Sequence, residues 1–344
     1  MRKSSHLSMV LLALALVAPG PVWSFDEPSV AAEERMEVEK GAGTEGTEVG
    51  GRGEGFEPQA EATKGVEIPS TFGPIVTDTA IRIEKGKFAI QPTFAYSFVT
   101  DAFTQSWRRA SAGCDFQSFS MDWKLTYGLI DNLEVFVVIP YVHNWTSDVD
   151  EPGPDGECSA NSGGLGDINL TLKYRLVEET ETLPTVTALF ATDFPSGKFR
   201  HLSPRSLGTD AIGSGSYIFT PGINISKYVS PLILYGNVWY SMPTSFSDDD
   251  GRQYPGDFVT VNMAAEYPMT EKWVALLELT SFWGCGRLFG PDINVPRESL
   301  LSIVPGIEYM ATDKFSVAMG LNIDLIGKNT DATIAPLLSM VYAF

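Results

Sequence analysis

Residues 315–325 read FSVAMGLNIDL, and every second side chain in this stretch is large and apolar. Successive side chains of a β-strand point to opposite faces, so this stretch is expected to form a strand with one apolar face and one small or polar face. The same alternation occurs at 118–129 and at 167–176. Runs of this kind, separated by Gly, Pro, Asp and Asn, fill the chain beyond residue 80 and predict an all-β fold.

Alternation alone does not distinguish a soluble β-sandwich from a membrane wall. The predicted strands are longer than the roughly five or six residues usual in soluble sheets and match a tilted crossing of a bilayer. Their second faces carry small and polar side chains with isolated charges, as a wet interior requires. Aromatic residues gather near strand ends, as at a membrane interface: Tyr96, Phe98, Tyr141, Trp145, Tyr240, Tyr267, Trp273 and Trp283. These features favour the membrane wall.

Twelve candidate strands follow one another, an even number as closure of an antiparallel bacterial barrel requires. They are 86–98, 116–129, 133–145, 165–177, 184–195, 215–228, 232–242, 257–268, 272–284, 299–310, 315–326 and 333–344. Their links alternate between short and long, and short turns belong on the periplasmic side. We therefore predict a transmembrane antiparallel up-and-down β-barrel over 75–344, in a bacterial outer membrane, with both termini periplasmic.

Composition excludes several classes of function. The chain has 24 Lys and Arg against 43 Asp and Glu, a net charge of −19, which opposes a general affinity for nucleic acid. Three cysteines without a Cys-x-x-Cys spacing make neither a disulfide scaffold nor a metal cluster. We expect no metal and no cofactor, and no enzymatic activity.

The amino-terminal segment predicts export. Arg2 and Lys3 precede an apolar run over 9–18, and a cut before Phe25 completes a secretory signal over 1–24. An uncleaved membrane anchor is the alternative, but the run is shorter than the roughly 20 residues of a spanning helix. Residues 26–70 hold twelve acidic and four basic residues among many glycines. We predict a flexible, acidic, Gly-rich periplasmic arm over 25–74. A role in binding a partner or entering the pore stays open.

The carboxyl terminus carries a second export-related pattern. Leu338, Met340, Tyr342 and terminal Phe344 alternate up to an aromatic end. This resembles the terminal strand signal of bacterial outer-membrane barrels, and we interpret it as the signal for the barrel-assembly machinery. Because closure leaves no free strand edge in lipid, this last strand is expected to pair with the first.

Three glycine-containing segments carry a family resemblance. They are Gly163-Gly164-Leu165-Gly166-Asp167 leading into a strand, Asp193-Phe194-Pro195-Ser196-Gly197-Lys198, and Gly213-Ser214-Gly215. With 81–90, their order resembles the family named for the putative meta-pathway of phenol degradation, over essentially all of 75–344. The resemblance implies a barrel of the monomeric type that takes up aromatic or other hydrophobic compounds. The partners expected are outer-membrane lipid, lipopolysaccharide, the assembly machinery and small hydrophobic solutes.

Two other functions stay open. A non-transporting surface barrel could bind a partner through its outer loops, and an outer-membrane lipase could use the His201-Leu202-Ser203 sequence. The lipase is disfavoured because this pair lies in a long loop with no partner to orient it. The same loop holds a basic group that could form a constriction, contact lipopolysaccharide phosphates or simply be solvated: Lys198, Arg200, His201 and Arg205.

Charges of opposite sign are segregated around the predicted lumen. Lys124, Lys173 and Arg175 fall on inward faces of the second and fourth strands, whereas Glu266, Glu278, Glu308 and Asp324 fall on inward faces of the eighth to eleventh. Such charges can set a transverse field, pair and partly close the passage, or be solvated one by one.

The cysteines lie near the predicted outer loops. Cys114 and Cys158 fall in the first and second of these loops, which adjoin across a hairpin, and we predict a disulfide between them. Cys285 is expected to stay unpaired. Separate, unreactive thiols are the alternative, because a disulfide requires close approach of the two α-carbons.

Overall fold

The computed structural model describes residues 71–149, 152–248, 251–289 and 293–344. The predicted signal over 1–24 and the acidic arm up to residue 70 lie outside these residues. Within the described part, twelve long strands form the barrel. They are β1 (Phe88–Phe103), β2 (Asp115–Ile130), β3 (Leu133–Ser147), β4 (Ile168–Val177), β5 (Thr185–Phe194), β6 (Ile218–Val229), β7 (Leu232–Pro243), β8 (Phe258–Pro268), β9 (Trp273–Gly284), β10 (Ser299–Thr312), β11 (Phe315–Lys328) and β12 (Thr330–Ala343).

Each strand pairs antiparallel with the next, and the barrel closes between β1 and β12. The closing register places Ala89 opposite Ala343 and Thr93 opposite Ser339. Every strand of the barrel therefore has two neighbours, and its backbone hydrogen bonds are satisfied without a free edge. The prediction of a closed, twelve-stranded, antiparallel barrel is confirmed.

The two faces of the wall separate as the alternation predicts. On β4, Leu172 and Tyr174 are 43% and 46% exposed, whereas the alternating Thr171 and Lys173 are each 2% exposed. Large apolar side chains recur outward on the other strands, as with Leu277 on β9. Exposing so many of them to water would cost roughly 25 cal/mol per Å² of apolar surface, so the outer face suits lipid.

The two ends of the barrel differ. At one end, which we call the short-turn end, links of a few residues join β2 to β3, β6 to β7 and β10 to β11. The opposite, long-loop end carries extra structure: four short strands, Phe246–Asp248, Gly251–Tyr254, Arg287–Phe289 and Ile293–Val295, form a sheet of their own. A 3₁₀ turn, Pro204–Ser206, lies in the loop after β5. Among the described residues, no helix is long and apolar enough to cross a membrane.

The predicted fourth strand is interrupted. We expected one strand over 165–177, but the structure has Ala160–Leu165 and β4 as separate strands that pair with the upper and lower halves of β3. Gly166 lies against Pro140, where a β-carbon would meet the proline ring at 3.0 Å. This close approach bends the chain between the two pieces, which is a usual role of glycine in a strand.

The segment before β1 lies inside the barrel. We call residues 71–84 the strap. Its Ile75 packs in a buried cluster with Val274, Leu276 and Ala318 of the wall. Its Ile81 packs against a second cluster that contains Ile233. The alternation did not predict this segment. The barrel was predicted over 75–344, but the first strand starts at Phe88, and the residues before it include the lumenal strap.

Candidate solute path in the lumen

Two acidic side chains of the wall hold the backbone of the strap. The Glu278 carboxylate accepts hydrogen bonds from the amides of Ile75, Val76 and Thr77, at 2.8, 3.2 and 2.6 Å. The Glu308 carboxylate accepts one from the Phe72 amide at 3.3 Å and one from the Thr71 hydroxyl at 2.7 Å. Hydrogen bonds to an ionised acceptor are stronger than neutral ones, so these carboxylates are the main polar anchors of the strap's first half.

A basic group on the other side of the lumen binds the middle of the strap. The Asp78 carboxylate lies 3.2 Å from Lys124 Nζ and 3.4 Å from Lys173 Nζ. It also accepts a hydrogen bond from Asn224 Nδ2 at 2.7 Å. Lys173 makes a second ion pair with Glu134 at 2.7 Å. Lys124, Lys173, Glu278 and Glu308 were all predicted to line the lumen, and all of them therefore contact the strap.

The other three predicted lumen charges have local partners. Arg175 donates to Asn132 Oδ1 at 3.0 Å, beside the β2–β3 turn. Glu266 accepts a hydrogen bond from the Tyr235 hydroxyl at 2.8 Å and also interacts with the Thr71 side chain of the strap. Asp324 accepts one from the Ser302 hydroxyl at 2.6 Å. That these seven charges line a conducting path stays a prediction. The strap lies in the lumen in front of several of them.

A cavity of about 510 Å³ runs along the wall formed by β12, β1 and β2, and near the long-loop end residues of β8 to β11 also line it. Its lining includes Ala89 and Ala343 near the short-turn end and Val99 and Asp331 near the long-loop end. The strap lines its other side. This wall leaves space because many of its inward side chains are small: Thr93, Ala95, Ser97, Ser118, Ser120, Thr333 and Ala335. The cavity thus extends between the two ends of the barrel beside the strap.

A second cavity of about 230 Å³ lies under the loop that joins β5 to β6. Ala211 and Ile212 of this loop are part of its lining and are buried. The two cavities share five lining residues: Ser118, Ser120, Phe136, Val138 and Trp239. They are therefore adjacent chambers, with two aromatic side chains between them.

Asp167 fixes the β5–β6 loop over the lumen. Its carboxylate accepts hydrogen bonds from the Gly197 amide at 2.8 Å and the Ser214 amide at 2.7 Å. Asn144 of β3 adds a hydrogen bond to the Thr209 carbonyl at 3.0 Å. The three glycine-containing segments of the sequence resemblance thus meet around one carboxylate. Sequence reasoning found the segments but not their junction.

The basic group of the β5–β6 loop is divided among different contacts. Lys198 pairs with Asp210 at 2.5 Å within the loop. Arg205 pairs with Asp155 of the β3–β4 loop. Arg200 lies over the Phe199 ring, 4.8 Å from its centroid, and His201 is exposed at the surface. Two of the four charges thus hold loops together, and a lipopolysaccharide contact stays a prediction.

Cys114 and Cys158 are not bonded to each other in the structure, so the predicted disulfide between them is absent. Cys114 directly precedes β2, which pairs with β3 through Asp115 and Ser147. Cys158 lies two residues before the strand Ala160–Leu165, which pairs with the opposite edge of β3. The end of β3 therefore lies between the two cysteines. Two strand spacings come to roughly 10 Å, beyond the α-carbon separation that a disulfide allows.

The carboxyl-terminal residues complete the closing strand. The Phe344 amide donates to the Phe88 carbonyl at 2.8 Å, and the two rings lie 5.6 Å apart. Tyr342 stacks edge-on against Phe344 at 4.8 Å. Leu338 and Met340 continue the same strand. An aromatic cluster thus covers the junction of the first and last strands.

The described residues contain no group of three His, Cys, Asp or Glu side chains that could hold a metal ion.

The model of the family described as Putative MetA-pathway of phenol degradation matches residues 113–332, so the chain belongs to this family.

Several solved structures are similar to this chain. The COG4313 outer membrane channel from Pseudomonas putida F1 matches with a TM-score of 0.63 at 15% identity, covering 76% of this chain and 97% of that one. The toluene transporter TbuX of Ralstonia pickettii gives 0.40 at 10% identity, with 84% and 98% covered. The transport unit of the autotransporter AIDA-I from Escherichia coli gives 0.44 at 12%, with 76% and 91% covered. The first match establishes a common fold.

Proposed function

We propose that this protein is an outer-membrane channel that passes small hydrophobic molecules, aromatic compounds included. The cavity of about 510 Å³ that extends between the two ends of the barrel carries the proposal. Its volume lies in the range of sites for small organic ligands, roughly 300–1,000 Å³. Alanine, valine and phenylalanine side chains in its lining suit an apolar solute. Membership of the family and the COG4313 channel fold support the same reading.

The orientation that we propose places the short turns and both termini in the periplasm. Bacterial outer-membrane barrels have short periplasmic turns and longer outer loops, and the loop sheet at the long-loop end fits the outer side. The partners in this arrangement are membrane lipid, lipopolysaccharide around the outer rim, and the barrel-assembly machinery during insertion.

The test is entry of the apolar aromatic dye N-phenyl-1-naphthylamine into cells with an intact outer membrane, followed by its fluorescence. Expression of this protein is expected to speed entry. Ala335→Trp should reverse that gain, because Ala335 faces the cavity and indole would fill it. Ile334→Trp is the matched control, since the neighbouring Ile334 faces outward. Heat-dependent gel mobility checks folding of both variants.

A surface protein that binds a partner through its outer loops is the second candidate. The four-stranded loop sheet favours it, because its strands do not pair with those of the barrel and are not needed for closure. Dye entry could be equally fast in cells that express Ala335→Trp, cells that express Ile334→Trp and cells without the protein. That result would contradict the channel proposal and leave the partner-binding surface protein.

A further inference from the structure

The wall of the barrel contains a ready-made site for a carboxylate, and the strap occupies it. The Asp78 carboxylate contacts Lys124 of β2, Lys173 of β4 and Asn224 of β6. These three donors come from separate strands of the rigid wall. Asn237 of β7 also donates to the Asp78 backbone carbonyl at 3.3 Å. We call Lys124, Lys173 and Asn224 the cradle.

Among Lys124, Lys173 and Glu134 of the wall, two positive charges face one negative charge. Lys124 and Lys173 supply two positive charges, and Glu134 compensates one of them. The side chains of Lys173 and Glu134 are only 3% and 4% exposed, so an unbalanced charge there would be poorly solvated. Arg82 belongs to the strap and donates to the Ile83 carbonyl, so it is not part of the wall. Asp78 thus supplies the missing negative charge.

Aromatic side chains adjoin the cradle. Lys124 Nζ lies 4.2 Å from the centroid of the Phe136 ring. Trp239 Nε1 donates to Asn224 Oδ1 at 2.8 Å, which orients the amide so that its nitrogen points at the carboxylate. Phe136 and Trp239 also separate the two lumenal cavities. A ligand bound here would have its carboxylate in the cradle and its apolar body against flat aromatic surface.

We propose that the cradle binds the carboxylate of a small aromatic acid, and that Asp78 is an internal occupant which this ligand displaces. The proposal rests on the proposed channel function and names a solute class for it. Exchange of one carboxylate for another leaves the charge of the site unchanged. The strap has further anchors at Glu278, Glu308 and Ser226, so displacement of Asp78 requires only its middle to move.

The first experiment measures binding of benzoate to the full chain in detergent by equilibrium dialysis. Asp78→Asn removes the competitor's charge, so we expect benzoate to bind at least tenfold more tightly than to the unchanged protein. Adding Lys124→Met to this variant should abolish the gain. Glu84→Gln is the control, because it removes one negative charge from the strap at an exposed position outside the cradle. Benzamide, which lacks the charge, should gain nothing from Asp78→Asn.

The second experiment needs no variant. Saturating benzoate should speed hydrogen exchange at residues 78 and 79 of the unchanged protein, between the Glu278 and Ser226 anchors, whereas benzamide at the same concentration should not. Equal effects of the two compounds, or a gain in Asp78→Asn no larger than in Glu84→Gln, would overturn the proposal. The dye-entry assay is read separately: entry that depends on Ala335 while benzoate fails to bind leaves the channel standing and removes only the carboxylate site.

Discussion

Gly197 and Gly213 cross at such short range that a β-carbon added to Gly213 would lie 2.5 Å from the carbonyl carbon of Gly197. The same crossing brings the Gly197 and Ser214 amides to the two oxygens of Asp167. Only glycine fits on either side of this contact, because the obstructing atoms belong to the backbone and cannot rotate away. The crossing therefore holds the β5–β6 loop over the second cavity.

Gly213→Ala is expected to push the two segments apart and weaken the Asp167 contacts. Overpacking of this kind costs roughly 1–3 kcal/mol. The unfolding midpoint in urea, measured with the barrel in detergent, should fall accordingly. Gly236→Ala is the control, because the nearest atom to a β-carbon there is 3.8 Å away. Equal midpoints for the two variants would show that the loop tolerates the displacement.

Deletion of Phe344 tests the closing strand. The deletion removes the hydrogen bond from its amide to Phe88 and the aromatic contacts with Phe88 and Tyr342. We expect less of the heat-modifiable, folded form in outer membranes. Phe344→Trp keeps an aromatic terminus and should assemble normally. Normal assembly of the deleted chain would contradict both the structural role and the predicted assembly signal.

The cysteines provide a chemical test of the strand order. Because the end of β3 separates Cys114 from Cys158, both should be alkylated by iodoacetamide without prior reduction. Cys158 is exposed and should react faster than the half-buried Cys114. Mass mapping of non-reduced peptides shows whether the two cysteines are linked. A Cys114–Cys158 disulfide would require a different path of the chain at the long-loop end.

The barrel could be predicted because its signal is local. Neighbouring side chains such as Leu172 and Lys173 differ in polarity, which indicates that they lie on opposite faces of a strand. About ten such alternating positions in a row predict a strand. The count of strands and their alternating links then follow. The third and fourth strands show the limit, because the break at Gly166 depends on its contact with Pro140, a residue 26 positions earlier.

The contents of the lumen could not be predicted in the same way. Alternation places Lys173 and Glu278 on the inner face, but it does not say what they meet there. Their partners lie in the strap, about 100 and 200 positions away in sequence, where residues 71–84 show neither strand nor helix periodicity. The disulfide prediction failed for a related reason: loop order does not reveal on which side of β3 each cysteine lies.

Glu278 is expected to control how firmly the strap is held. Glu278→Ala removes the acceptor of three backbone amides, each bond to a charged group being worth roughly 1.5–3 kcal/mol. Hydrogen exchange at residues 75–77 should therefore accelerate at least tenfold, and single-channel conductance in planar bilayers should rise as the strap moves. Glu271→Ala, an equal loss of charge at an exposed turn, should change neither.

The conservative variant separates charge from anchoring. Glu278→Gln keeps an oxygen acceptor for the strap but removes a negative charge from the lumen, so it should shift ion selectivity toward anions with a smaller rise in conductance than Glu278→Ala. Selectivity is read from reversal potentials across a salt gradient. If hydrogen exchange at residues 75–77 is as slow in Glu278→Ala as in the unchanged protein, other contacts hold the strap and the carboxylate is not its anchor.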